Sequence, residues 1–362
     1  RQPEFTQVDI EMSFVEKSDV FELVEGLLVA MLGEVDIEVS SPFPHLRWGE
    51  ALERYGTDKP DLRFGAEIAD VSDLFSGSGY GVFERVLADG GAVRVLAASG
   101  CAGYSRKHIE EMERAAGSGG AEGLGWARWT EAGIQSPLAK HVGEARLQEA
   151  FAKSGGGQGD LLVLVAGEPR RASVALGAVR LELARREGWA RQGDWRFVWI
   201  TDFPLFEYSE AEGRWTSIHH PFTSPRPEDV DRLESEPGSV RSLAYDVVAN
   251  GNEVGGGSIR IHRSDIQARV FKILQMTDEE ALEKFGFFLD ALQYGAPPHG
   301  GIALGFDRIA MLAADGTSLR DVIAFPKTTS ALDMMTGSPS AVSEEQLREL
   351  GLKLLSGRGA RR

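Results

Sequence analysis

Gly300-Gly301-Ile302-Ala303-Leu304-Gly305-Phe306-Asp307-Arg308 reads as a buried strand that runs straight into a helix at Ile309 to Ala313. An arginine at such a junction can lie over an adenine ring and reach a γ-phosphate as a fixed cation. The same residues also suit a tight strand–helix turn in which Asp307 and Arg308 are salt-bridged, and a glycine run alone does not decide between the two. Upstream, Asn252-Glu253-Val254-Gly255-Gly256-Gly257-Ser258-Ile259-Arg260-Ile261-His262 alternates from Ser258 onward. Ser258, Arg260 and His262 fall on one side of this strand, and Ile259 and Ile261 on the other. Its glycine run leaves the backbone bare, which suits close approach of a flat or phosphorylated ligand. Glu253, just before the glycines, and Asp246, upstream of it, could share a divalent cation; hard oxygen ligands suit Mg2+ that also holds nucleotide phosphates. A glycine bulge beside a solvated Arg260 is the plainer alternative.

Between these stretches and the start of the chain lies His219-His220-Pro221-Phe222-Thr223, read as a loop. Adjacent histidines can donate hydrogen bonds to a carboxylate or bind a metal, but no third and fourth ligand stand at zinc spacing. Thr6 to Phe14 alternates as a strand with Gln7, Asp9 and Glu11 on its wet face. Ser18 and Asp19 are the expected caps of a helix whose apolar stripe is Val20, Leu23, Val24, Leu27, Leu28 and Met31. A short helix to Tyr55 and the segment Gly56 to Phe64 follow.

From Phe64 to Gly193 glycine becomes dense and the pattern changes. Val82 to Leu87 and Ala92 to Ala97 read as two strands joined by the hairpin signal Asp89-Gly90-Gly91. Ser105 caps a helix through Ile109 and Met112; Leu161 to Val165 is a buried strand, and Arg170 to Arg186 a helix. Residues 64–193 thus read as an inserted α+β module. It separates a first part, 1–63, from a second, 194–340, with a tail at 341–362. Phe197 to Thr201 returns to a strand, and Asp265 to Gln275 and Thr277 to Tyr294 read as helices. The tail holds a short helix, Ser343 to Leu355, and a basic end.

Composition sets bounds on these readings. The 362 residues are 42% hydrophobic and 26% charged, enough for more than one core. A formal net charge of −16 argues against binding nucleic acid through the overall field, so any such contact needs a local basic patch. One cysteine, Cys101, allows no internal disulfide, which fits a reducing, cytoplasmic setting. The longest apolar candidate, Leu23 to Leu32, contains Glu25 and Gly26 and is not of membrane-spanning length.

The three stretches occur together in the order and wording of class II aminoacyl-tRNA synthetases, and the chain most resembles the bacterial-type aspartyl-tRNA synthetases. Arg1-Gln2-Pro3-Glu4-Phe5-Thr6-Gln7-Val8-Asp9-Ile10-Glu11 is similar to the second strand of class II motif 2. Gly300 to Arg308 is similar to motif 3, with Phe306 where leucine is more usual. Tyr294-Gly295-Ala296-Pro297-Pro298-His299-Gly300-Gly301 and Val254-Gly255-Gly256-Gly257-Ser258 are also family wording, and the likeness runs from Arg1 to about Pro339. Residues 64–193 resemble the module that bacterial aspartyl enzymes share with tRNA-dependent amidotransferases.

The resemblance implies an antiparallel sheet flanked by helices, an α+β fold, and a reaction in two steps. Aspartate and ATP give aspartyl-adenylate, and the aspartyl group then passes to tRNA. It implies that Arg260 pairs with the side-chain carboxylate of L-aspartate, that His219 closes over it, and that Asp9 helps hold its ammonium. Gln2, Gly305, Phe306, Asp307 and Arg308 would contact ATP, with Arg308 stabilising its γ-phosphate end as the catalytic cation. Asp246 and Glu253 would hold Mg2+ on the phosphates, Glu253 thereby also meeting ATP. The implied partners are tRNA-Asp, with tRNA-Asn a further candidate, and a second copy of the chain in a homodimer. The family places an anticodon-binding domain, motif 1, a lysine-bearing substrate loop and the α-phosphate arginine ahead of Arg1. The expectation is therefore of a longer natural protein, with the 362 residues alone inactive or nearly so. Three other readings compete. A non-catalytic paralogue, serving as a binding or regulatory module, would have kept Asp246, Glu253 and Arg308 without need. An asparaginyl enzyme or asparagine synthetase sits poorly with Arg260 and the insert, and an amidotransferase subunit explains only 64–193.

Overall fold

The computed structural model describes residues Gln2 to Leu354. Arg1 and the basic end at 355–362, including the last residue of the expected tail helix, lie outside the described residues. The chain divides into two compact units, one of Arg1–Val8 with Gly305–Arg362 and the other of Asp9–Leu304.

In chain order the elements are β1 (Gln7–Ser13), α1 (Lys17–Gly33), β2 (His45–Arg47), α2 (Trp48–Tyr55), β3 (Ile68–Asp70), α3 (Ser72–Phe75), α4 (Gly81–Ala88), β4 (Ala92–Ala98) and α5 (Arg106–Ser118). There follow β5 (Gly125–Thr130), β6 (Gly133–Gln135), α6 (Ala139–Val142), α7 (Glu144–Lys153), β7 (Leu161–Gly167), α8 (Pro169–Glu187), β8 (Phe197–Thr201), β9 (Phe206–Ser209), β10 (Arg214–Ser217), β11 (Ala244–Ala249), β12 (Asn252–Ile259), α9 (Ser264–Ile273), α10 (Asp278–Gln293), β13 (His299–Gly305), α11 (Phe306–Ala313) and α12 (Glu344–Glu349). Among the described residues no helix is long and apolar enough to cross a membrane.

Two sheets organise the larger unit. The first runs β1-β13-β12-β11-β8-β2, antiparallel from β13 through β8 and parallel where β2 meets β8. One of its faces carries Trp199 and Tyr245, which pack on Phe21 of α1 at ring-centroid distances of 4.2 and 5.1 Å. Its other face buries Val198, Ile200, Ala244 and Val248 against Leu46, Ala51 and Tyr55. Period-2 alternation therefore puts Asp246, between Ala244 and Val248, on that second face. The second sheet, β3-β4-β7-β5-β6, is antiparallel throughout. Its strand β4 is buried on both sides. Leu96 and Ala98 pack with Met112, Leu176 and Val179 from α5 and α8. Val93, Val95 and Ala97 pack with Phe75, Phe83, Leu147 and Phe151. The architecture is α+β, as the sequence implied.

Two local expectations need correcting. Val82 to Leu87 is not a strand: it lies in α4, with Phe83 buried against Phe75 and Tyr80. Asp89-Gly90-Gly91 ends this helix rather than turning a hairpin. Gly90 takes the left-handed φ of +78°, and the Gly91 N–H donates back to Val86 O at 2.8 Å, a helix-terminating pattern that uses the same Asp-Gly residues. Helix α1 is capped by Glu16, not Ser18, while Asp19 accepts from the Glu16 N–H at 2.7 Å. Its buried stripe is also rotated. Leu23 is 43% exposed, whereas Phe21 and Glu25 are buried, and Glu25 accepts the indole N–H of Trp199 at 3.0 Å.

Candidate active site

The glycines of β12 fix the site's shape. Gly257 pairs with Tyr245 on one side and Ile302 on the other, and a Cβ there would strike the Gly301 carbonyl. Gly256 lies opposite Asp246, and a Cβ on it would stand 2.7 Å from Asp246 Oδ1 and 3.7 Å from Glu253 Oε1. Both carboxylates therefore converge on the bare surface of Gly256. The register shift between Val247 and Val248 puts Glu253 opposite Val248, on the same face as Asp246.

Two like charges at such a place need compensation. Asp246 is 5% exposed, and burial pushes its carboxyl above the usual range, with Glu253 and Asp58 adding to the rise and His219 opposing it. His219 Nε2 stands 3.6 Å from Asp246 Oδ1, long for a hydrogen bond, and its ring meets Phe203 edge-on at 4.6 Å. The Lys59 ammonium reaches Glu253 Oε2 at 2.8 Å. Burial would lower the Lys59 pKa, but Glu253, Asp58 and Asp246 together raise it, so the ammonium is firmly charged.

Arg260, just past β12, donates its backbone N–H to His299 O at 2.9 Å and bridges to Thr223. Its guanidinium is spread over two partners. NH1 donates to Ser258 Oγ at 2.8 Å, while Nε and NH2 each donate to a Glu11 oxygen at 3.1 Å. The Glu11 carboxylate reaches over Gly301, where a side chain would collide with it. Asp9, two residues before Glu11, shares the exposed face of β1. His220 neighbours this group: burial, and next the charge of Arg260, hold its imidazole below the usual range.

The smaller unit holds the remaining predicted residues. Gln2 clamps the Lys327 backbone, accepting its N–H at 2.8 Å and donating to its carbonyl at 3.2 Å. Its amide is thus engaged in holding chain to chain. Asp307 Oδ2 accepts the Thr6 N–H at 2.7 Å, so it too ties two segments together. Arg308 is half-buried in the first turn of α11, after Gly305 and the exposed Phe306. In the same unit Lys327 Nζ pairs with Asp333 at 2.9 Å and holds that carboxyl down to about 2.

The structure therefore places Asp246 and Glu253 on neighbouring strands of one sheet, the loop residue His219 beside Asp246, Arg260 just past the second of those strands, and Asp9 on an exposed strand face of the same unit. Sequence reasoning missed Lys59 and the pairing of Glu11 with Arg260. Glu11 had a signal, its period-2 placement with Asp9; Lys59 had none, because its partner is far away in the chain.

The family model for "tRNA synthetases class II (D, K and N)" matches residues 1–329, and the chain belongs to that family. Among its relatives, it is 52% identical to the aspartate–tRNA(Asp/Asn) ligase of Moorella thermoacetica over 98% of this chain and 59% of that protein. It is 50% identical to the enzyme of the same name from Halothermothrix orenii, again over 98% of this chain and 60% of the relative. To the aspartate–tRNA ligase of Staphylococcus carnosus it is 48% identical over the same shares, 98% and 60%. The chain thus spans about 60% of the length of the curated relatives it matches. A solved aspartyl tRNA synthetase from Entamoeba histolytica overlays 92% of this chain and 45% of its own, at 17% identity and a TM-score of 0.42, too loose a likeness to bear on the argument.

Proposed function

We propose that this chain forms the aspartate- and ATP-binding part of an aspartate–tRNA ligase, which joins L-aspartate to tRNA-Asp through aspartyl-adenylate. The observation that carries the reading is Arg260. Its forked guanidinium is anchored on Ser258 and offered to a carboxylate, on the sheet that also bears the Asp246–Glu253 pair. A planar fork matches a carboxylate in two bonds, whereas an asparagine amide would lose a charge-assisted contact. His219 would close over the bound amino acid, and the exposed acidic face carrying Asp9 would hold its ammonium.

The two carboxylates converging on Gly256 fit a Mg2+ ion bound together with nucleotide phosphates, because that ion is commonly held by one or two carboxylates and substrate oxygens. Such an ion would supply charge neutralisation on the phosphates. Glycines in β12 let the nucleotide lie close to the backbone. Gln2, Gly305, Phe306, Asp307 and Arg308, described within the smaller unit, are assigned to ATP, with Arg308 as the fixed cation for the terminal phosphate. No nucleophilic side chain is required: both steps are displacements at reactive centres, which positioning and charge stabilisation accelerate.

We further take residues 1–63 and 194–340 as two parts of one catalytic domain, 64–193 as a module inserted into it, and 341–362 as a tail. A homodimer, a cytoplasmic setting and charging of tRNA-Asn besides tRNA-Asp belong to the same proposal. Charging of tRNA-Asp and tRNA-Asn transcripts with radiolabelled aspartate by the full-length protein tests it. Aspartyl-tRNA-Asp should form; charging with asparagine, or none with aspartate, would overturn it.

A further inference from the structure

We propose that Lys59 is a resident cation of the Asp246–Glu253 carboxylate pair, which a divalent metal must displace in order to bind. The inference rests on the reading of that pair as a metal and nucleotide site.

Lys59 is not a wandering surface lysine. The loop that carries it is held on both sides. Gly56 ends α2 with a left-handed φ of +70° and lies against Ser173 and Gly177 of α8, where any side chain would collide with backbone. Arg180 of α8, 1% exposed, donates to the carbonyls of Asp61, Phe64, Gly65 and Ala66 at 2.9, 2.8, 3.0 and 3.1 Å. From the opposite side, Gly251, in the turn between β11 and β12, leaves room for Asp61; a Cβ on it would lie 3.3 Å from Asp61 Cβ. Asp61 in turn grips Arg63 at 2.6 Å. Lys59 itself is pinned at its N–H by Thr57 Oγ1 at 3.1 Å and stiffened by Pro60. So α8 and the β11–β12 turn together deliver the Lys59 ammonium to Glu253, 2.8 Å away, within the field of Asp246 and Asp58.

Two carboxylates over one bare glycine repel each other, and a single ammonium offsets part of that charge. A divalent ion offsets more, but it must use the same Glu253 carboxylate, whose Oε2 already holds the ammonium, and it repels that ammonium at close range. Metal entry therefore competes with Lys59. Once displaced, its ammonium, a compact cation with three donors, is available to the phosphates that accompany the metal. The consequence is that free metal binds weakly and metal–nucleotide binds well.

The test is Mn2+ binding to the nucleotide-free, full-length protein, read from the electron paramagnetic resonance signal of the unbound ion. Lys59→Met should tighten binding by about tenfold or more, the scale set by removing one positive charge from beside a divalent ion at contact range. Lys59→Arg should leave it within about twofold, and Glu253→Gln should abolish the gain of the methionine variant. Equal or weaker binding in Lys59→Met, or a gain that survives Glu253→Gln, overturns the inference. Lys59 is 43% exposed, so its loss leaves the core intact, and circular dichroism of each variant checks this. Aspartate-dependent pyrophosphate exchange by the unsubstituted protein tests the underlying reading separately.

Discussion

Arg260 and Glu11 face each other as a forked ion pair laid over Gly301, with the guanidinium Nε and NH2 each 3.1 Å from its own carboxylate oxygen. The pair joins residues 249 positions apart and is half open to solvent on the carboxylate side. A pair so exposed contributes little to stability, about 0–1 kcal/mol. Its effect is on shape: it holds the guanidinium spread and flat where an incoming carboxylate can join or replace Glu11.

Replacement of Arg260 by lysine should therefore damage aspartate use more than folding. A point charge cannot reproduce the two-bond fork, and losing one charge-assisted bond costs roughly 1.5–3 kcal/mol, or about 10- to 150-fold in kcat/KM for aspartate. The KM for ATP should stay within about threefold. Steady-state exchange kinetics on Arg260→Lys would show the split; an equal loss for both substrates would count against the assignment.

Gly257→Ala should destabilise the fold itself. The added methyl would meet the Gly301 carbonyl and Ile302 Cα, backbone that cannot step aside without opening the β12–β13 pairing. Overpacking of this kind costs about 1–3 kcal/mol and sometimes more. Urea unfolding of the alanine variant would read the loss directly.

Arg180→Met should also destabilise, by about 2–4 kcal/mol. It leaves the carbonyls of Asp61 and Phe64 to Ala66 without their buried donor, which lies stacked on Phe64 at 4.1 Å. Urea unfolding should reveal the change, and limited proteolysis should show the loop at 56–66 opening first.

His220 predicts an acid limb to stability. Its folded pKa is below the ordinary 6.5, so the unfolded chain takes up the proton first on acidification. Stability then falls as pH drops through about 6.5 and levels once the folded imidazole is itself protonated. Between pH 7 and 5.5 the melting temperature of the unsubstituted protein should fall further than that of His220→Gln. Parallel curves would contradict the sign.

Much of this was legible in the sequence, because its signals are local. Ser105 and Thr277 cap their helices through side-chain bonds to His108 and Glu280, three residues on, and the chain spells those out. The alternation in β1 and the glycines of β12 likewise state which faces are wet and which must stay bare. What failed was ambiguous or distant. Asp89-Gly90 can close a hairpin or end a helix, and only the pairing of β4 with β3 and β7, out of reach of a local pattern, decides it. Glu16 caps α1 in place of Ser18, which cap preference does not indicate, because glutamate is an unusual choice at that position. Lys59 stands 194 residues from Glu253 (253 − 59), so no spacing rule could have joined them.

The central claim, that this site activates L-aspartate, is tested most directly by ATP–pyrophosphate exchange on the full-length protein with aspartate and asparagine in parallel. The account predicts exchange that requires aspartate, is negligible with asparagine, and falls sharply in Arg260→Lys. Exchange driven by asparagine, or none with any amino acid, would contradict it.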